Sequence, residues 1–209
     1  MIYFTGDTHR EQDVAKINPD DKFPKGKELT SDDYLIVMGD FGFVYDGGKG
    51  DKFWLDWLES LPWTTCFIDG NHENFDRLYS YPVELWHGGK VHKIRRSVIH
   101  LMRGQIYEID GKSFFTFGGA SSHDIESGIL DPEDPDFKEK KKWLDREWQS
   151  YRVNHITWWA QELPSEEEMQ EGRVNLAAHD NQVDFIVTHC CATSTQMLID
   201  EQKLKPDIE

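Results

Sequence analysis

Three strand-length apolar runs in this chain each give way to a glycine and then to residues able to ligate a hard metal ion. Met1 to Thr5 leads into Gly6-Asp7-Thr8-His9, Tyr34 to Met38 into Gly39-Asp40-Phe41-Gly42, and Thr64 to Ile68 into Gly70-Asn71-His72-Glu73. A fourth run, Phe185 to Thr188, ends at His189. Short runs rich in β-branched and aromatic residues, bounded by turn residues, read as strands. All four clusters then sit where strands end, the rim at which open α/β sheets bind ligands. Glycine suits such a rim, because a chain leaving a strand sharply needs positive φ or close backbone approach.

The chemistry of the clusters is that of a metal site. Asp, His and Asn together suit manganese, iron or zinc, and no CxxC spacing points to structural zinc instead. Gly, Asp and Asn are also ordinary loop residues, so a single cluster would say little. Four clusters at four strand ends say more, because two carboxylates, two or more imidazoles and an amide converge.

The ordered set GDTH, GDFG, GNHE and a later Thr-His after a strand resembles the calcineurin-like metallophosphoesterases, over Met1 to about His189. The resemblance implies an α/β fold, a four-layer α/β/β/α sandwich with two sheets packed together and helices outside. It implies two divalent metal ions, with Asp7 and His9 as ligands of the first, Asn71 and His189 as ligands of the second, and Asp40 bridging them. It also puts His72 over the phosphate, where it helps the leaving group depart. Two cations about 3.5–4 Å apart neutralise a phosphate ester and clamp its attacking and leaving oxygens. A water shared between them loses a proton near neutral pH and serves as the nucleophile. An imidazole that holds a proton near pH 7 suits the general acid, although a turn histidine can equally bond backbone.

Two departures qualify the resemblance. The family closes its site with a Gly-His-x-His motif, one His for each metal, whereas this sequence has no His after His189. Asp200 to Glu209 reads as a surface loop, so the sandwich is expected to be C-terminally incomplete, with each metal short of one ligand. A gene product that continues further accounts for this better than a degenerate site, since the other motifs keep their ligand chemistry. The second departure concerns Phe43 and Val44, which stand where the protein serine/threonine phosphatases carry an Asp-Arg pair. An apolar pair cannot grip an oxyanion. Arg10, directly after His9, is a substitute phosphate contact because a guanidinium holds two oxygens at once, and a plain surface arginine is the alternative.

Net charge and cysteine usage bound the partners. At −16, the chain lacks the basic footprint of nucleic-acid binders, so no duplex DNA or RNA partner is expected and a nuclease is the weakest reading. A small phosphate-ester substrate remains acceptable, because bound metals make a cleft locally electropositive. The three cysteines form no disulfide framework, which fits a reducing cytoplasm. Cys190 and Cys191 read as buried small residues beside the site. No signal-peptide pattern opens the chain and no run is long enough to span a membrane. Oligomeric state is left open.

The expected organisation is one domain, 1–209, with an acidic insertion over about 125–152. Val98 to Met102, Gln105 to Ile109 and Phe114 to Phe117 read as antiparallel neighbours joined by turns at Arg103-Gly104 and Asp110-Gly111. The loop after them, Gly118 to Ser122, also resembles the family's, which approaches the cleft, so His123 and Asp124 are expected on the substrate side, with ordinary loop capping as the alternative. Phe137 to Tyr151 is a charged amphipathic stretch, and Ser165 with Glu168 has the spacing of a capping box for a helix from Glu166 to His179. His87, His92, His100, His155 and His179 read as packing or surface residues. Two functions from different classes follow: a phosphomonoesterase or phosphodiesterase driven by a metal-activated hydroxide, or a metal-poor binding or scaffold protein.

Overall fold

The computed structural model describes residues 1–204. In chain order it comprises β1 (Ile2–Thr5), β2 (Tyr34–Met38), α1 (Lys49–Ser60), β3 (Thr64–Ile68), α2 (Phe75–Leu78), β4 (Val83–Trp86), β5 (Gly89–Arg95), β6 (Val98–Leu101), β7 (Gln105–Ile109), β8 (Lys112–Phe117), β9 (Ile129–Leu130), α3 (Phe137–Arg146), β10 (Arg152–Val153), α4 (Glu166–Ala178), β11 (Phe185–Thr188) and α5 (Thr193–Leu204), with short 3-10 turns between. The larger sheet runs β1-β2-β3-β6-β5-β4, and its first four strands are mutually parallel. A second sheet runs β11-β8-β7, with β11 parallel to β8 and β7 antiparallel to it.

The strands of the larger sheet are apolar throughout because both their faces are covered. Leu35, Val37, Phe67 and Val98 point into one core, with Leu55 and Leu58 of α1 and the indole of Trp63. Ile36, Cys66, Ile68 and Ile99 point into the other, against Tyr107, Ile109, Phe114 and Val187 of the second sheet. On the far side of that sheet lies α4, close enough that a Cβ at Gly104 would meet the Gly172 nitrogen at 2.8 Å. α1, the larger sheet, the second sheet and α4 thus pack one on the next. Sequence reading did not foresee α1, which has no side-chain cap at Gly48 and contains Gly50. Packing holds it, since burying Leu55 or Leu58 contributes about 1.5–3 kcal/mol each against roughly 1 kcal/mol for a helical glycine.

Several sequence expectations need correction. β6 and β7 are not hairpin partners: β6 pairs with β3 and β5, and β7 with β8 in the other sheet. The Arg103-Gly104 turn carries the chain between sheets because Arg103, buried, is drawn to the carboxylate of Asp69. The Asp110-Gly111 turn behaves as expected, with φ of 51° and 69°, the paired left-handed conformation of a two-residue hairpin. β4 and β5 were not foreseen. Asp200 to Leu204 belongs to α5 and is not a loop, while 205–209 lie outside the described residues. The expected insertion brings β9 and β10 together in parallel and packs Leu130, Leu144 and Val153 into a small core of its own. Among the described residues no helix is long and apolar enough to cross a membrane.

Candidate metal centre

β1, β2, β3 and β11 lie side by side or face to face, so their C-terminal ends converge. The loops after β1 and β2 are zipped together by backbone bonds: Thr8 and His9 N–H donate to the Asp40 carbonyl at 3.2 and 2.9 Å, and the Thr8 hydroxyl donates to Phe41 O at 2.8 Å. His9, Arg10 and Asp40 are all left-handed, at φ of 41°, 53° and 47°. Such backbone costs on the order of 1–3 kcal/mol per residue and gathers at functional sites. It aims His9 Nε2 at Asp40 Oδ2, 3.5 Å away, and at Asp7 Oδ2, 3.7 Å away. Ligand atoms of Asp7, His9 and Asp40 all lie within 4.8 Å of one another.

Two of the strand-end glycines are required by this convergence, and the third is not. A Cβ on Gly39 would meet His189 Nδ1 at 2.1 Å, and one on Gly70 would meet Asp40 Oδ1 at 2.1 Å. A Cβ on Gly6 would meet nothing within 4 Å, so the steric argument fails there. Glu73 is no ligand. Buried beneath the Asp40 loop, it accepts from Phe41 N–H at 2.7 Å, and burial pushes its carboxyl up to about 8.

His189 and Asn71 complete the cluster from the other side. His189 Nδ1 donates to the Met38 carbonyl at 2.8 Å, which leaves Nε2 as the lone-pair nitrogen, 3.3 Å from Asn71 Oδ1 and 3.7 Å from Asp40 Oδ1. Asn71 Nδ2 donates to Ser122 Oγ at 3.2 Å, and that hydroxyl donates to Glu162 Oε2 at 2.6 Å. A carboxylate only accepts, so the Ser122 proton is committed and its lone pair must receive the Asn71 NH₂. The amide oxygen therefore faces the cluster. Asp69, just before Gly70, is fully buried and held by Arg103 Nε at 2.7 Å and by His100 Nε2 at 3.1 Å, whose Nδ1 receives His92 Nδ1–H at 3.0 Å. His92 and His100 are buried, as packing residues should be, but they pack as a polar relay. None of Ser122, Glu162, Asp69 or Arg103 was given a part in the site from sequence, where Arg103 read only as a turn residue, since no local pattern marks residues distant along the chain as hydrogen-bond partners.

The five residues expected to be ligands, Asp7, His9, Asp40, Asn71 and His189, thus face one space. The donor set fits two hard or borderline divalent ions: Asp7, His9 and Asp40 on one side, and Asp40, Asn71 and His189 on the other, without thiolates. His72 lies beside them, its ring centroid 5.8 Å from that of His9. Burial pushes its pKa below the ordinary value, with Asp40 pulling the other way.

The remaining expectations divide. Arg10 lines a cleft of about 430 Å³ together with His9, Tyr45, His72 and Arg152, but its guanidinium is bound to the buried Asp51 and to the Gly42 carbonyl. Asp124 pairs with Arg152, whereas His123 is exposed and lines neither this cleft nor the cavity beside it. Phe43 and Val44 are core residues. Cys190 is exposed and Cys191 partly so, contrary to their expected burial, because only His189 turns inward before the chain leaves toward α5. Arg152 was missed, for it lies in a charged segment that reads as surface.

A family model described as calcineurin-like phosphoesterase matches residues 1–191. No curated protein matches. Among solved structures, the protein of unknown function AQ665 from Aquifex aeolicus is similar at 17% identity and a TM-score of 0.31, the match covering 97% of this chain and 98% of that one.

Proposed function

Because this chain belongs to the calcineurin-like phosphoesterases, a family of metal-dependent phosphoester hydrolases, we propose that it hydrolyses a small phosphate ester at a two-metal centre formed by Asp7, His9, Asp40, Asn71 and His189. One observation carries the reading. The two oxygens of Asp40 face different imidazoles, Oδ2 toward His9 Nε2 at 3.5 Å and Oδ1 toward His189 Nε2 at 3.7 Å. That is how a carboxylate must stand to serve two cations at once. When bound, the cations neutralise the ester's charge and bring a water toward deprotonation near neutral pH.

The chain's own residues do the rest. Asp40 is held for bridging by the His72 N–H, which donates to Oδ1 at 2.9 Å, and by the Gly70 backbone pressed beneath it. Met38 and Ser122 fix the sense in which His189 and Asn71 present their donor atoms. His72 lies on the cleft side of the cluster, where its imidazole N–H donates a hydrogen bond to the departing oxygen. Protein phosphatase activity is not proposed, because Phe43 and Val44 are buried and apolar.

The test is metal content together with manganese-stimulated hydrolysis of 4-nitrophenyl phosphate and bis(4-nitrophenyl) phosphate, which separates monoesterase from diesterase. Asp40→Asn should lose at least one bound ion per chain and lower the rate by about a hundredfold or more. A protein that binds little metal and cleaves neither ester would be the binding or scaffold protein instead.

A further inference from the structure

Beside the metal cleft lies a second cavity of about 510 Å³, whose walls include Phe137, Lys141, Tyr151, Val153, Ile156 and Arg152. Arg152 lines both spaces. Its Nη2 is 3.5 Å from His72 Nδ1 and also bonds Asp124, whereas Nε and Nη1 have no hydrogen-bond partner among the described residues. The other guanidinium at the cleft, that of Arg10, is committed to Asp51 and to a backbone carbonyl. The turn that follows Arg152, just beyond the insertion, is tied to the Asp40 side of the cleft by the Tyr45 hydroxyl, which donates to Ile156 O at 3.0 Å.

Resting on the phosphoesterase reading, we propose that the insertion forms the leaving-group side of the active site: Arg152 grips the ester phosphate, and the cavity beyond it seats an aromatic leaving group. A guanidinium with two free N–H-bearing nitrogens matches the oxygens of a phosphate. Asp124, Gln149, Ser150 and Thr157 also line the cavity, and the Lys141 ammonium is held by Asp145 and the Tyr151 hydroxyl. The cavity is nevertheless of ligand size, and its Phe137, Tyr151, Val153 and Ile156 walls suit a flat ring system better than a polyol. His72, adjacent to Arg152, then stands where phosphate and leaving group meet.

The test uses the manganese-loaded full chain and calorimetric binding of inorganic phosphate, methylphosphonate and phenylphosphonate, none of which needs turnover. Arg152→Gln should weaken phosphate binding about tenfold or more, with metal content and melting temperature retained, and Arg152→Lys should recover part of that loss. Asp124→Asn, which releases the guanidinium, should tighten phosphate binding. Ile156→Trp, filling the cavity, should reduce the preference for phenylphosphonate over methylphosphonate about fivefold or more. Unchanged phosphate affinity in Arg152→Gln, or weakening in Asp124→Asn, would show that the pair is structural and overturn the proposal. An unaltered preference in Ile156→Trp would overturn the leaving-group assignment. A wild-type protein that binds metal and phosphate but cleaves no ester would remove the phosphoesterase reading and leave Arg152 as an anion-binding residue.

Discussion

An amide ligand works only if its oxygen, and not its nitrogen, faces the metal, and at Asn71 that sense is set by two residues far along the chain. The Ser122 hydroxyl donates to the Glu162 carboxylate and accepts from the Asn71 NH₂. Removing the hydroxyl in Ser122→Ala should leave the fold intact and lower metal affinity about tenfold or more, read by competition with a chelator, as for other residues that orient ligands. His92 provides a second prediction at this scale. Burial, with His100 beside it, holds its pKa down to about 4 from an ordinary 6.5. Between those values the unfolded chain binds a proton that the folded chain refuses, so stability is intact above about pH 6.5 and falls as pH drops toward 4. His92→Gln should therefore lose less melting temperature between pH 7 and pH 5 than the wild type, and an equal loss would refute the assignment.

Elements differ in what forms them. α4 is locally specified: Ser165 accepts from Glu168 N–H at 3.1 Å while the Glu168 carboxylate accepts from Ser165 N–H at 2.8 Å, and the structured helix matches the sequence expectation to within one residue. Ser165→Ala should cost about 1 kcal/mol, or about 2–4 °C in a calorimetric scan of a chain this size. α1 has no such signal, and it was missed because its helical pattern is carried by a few apolar positions whose partners lie on a sheet. The β6–β7 error has a related cause. A turn sequence such as Arg103-Gly104 shows that the chain reverses, but not that the next strand joins the same sheet. That choice was made by the buried pairing of Arg103 with Asp69.

For the molecule as a whole, the proposed metal centre is a meeting point of four strand ends from two sheets, so ion binding there would be thermodynamically linked to folding. Ligation that exists only in the folded state stabilises it, by about 2.7 kcal/mol when free metal stands at a hundred times its dissociation constant. Manganese should raise the melting temperature of the wild type, EDTA should reverse the rise, and Asp40→Asn should lose most of it. A rise retained in Asp40→Asn would mean that the ion binds elsewhere.

The sequence by itself determined the strands that carry the site, β2, β3 and β11 to the residue, and the identity of the five residues that converge there. The strands are written locally, as β-prone runs bounded by turn residues, and the five residues at their ends follow from the resemblance of their motifs to the family's. Only the tertiary structure decided which sheet each later strand joined, that Glu73 braces a loop, that Ser122 and Glu162 turn the Asn71 amide, and that Arg152 reaches the cleft while Arg10 is held away from it. Those outcomes depend on burial and on hydrogen bonds between residues dozens of positions apart, and no short stretch of sequence contains both partners.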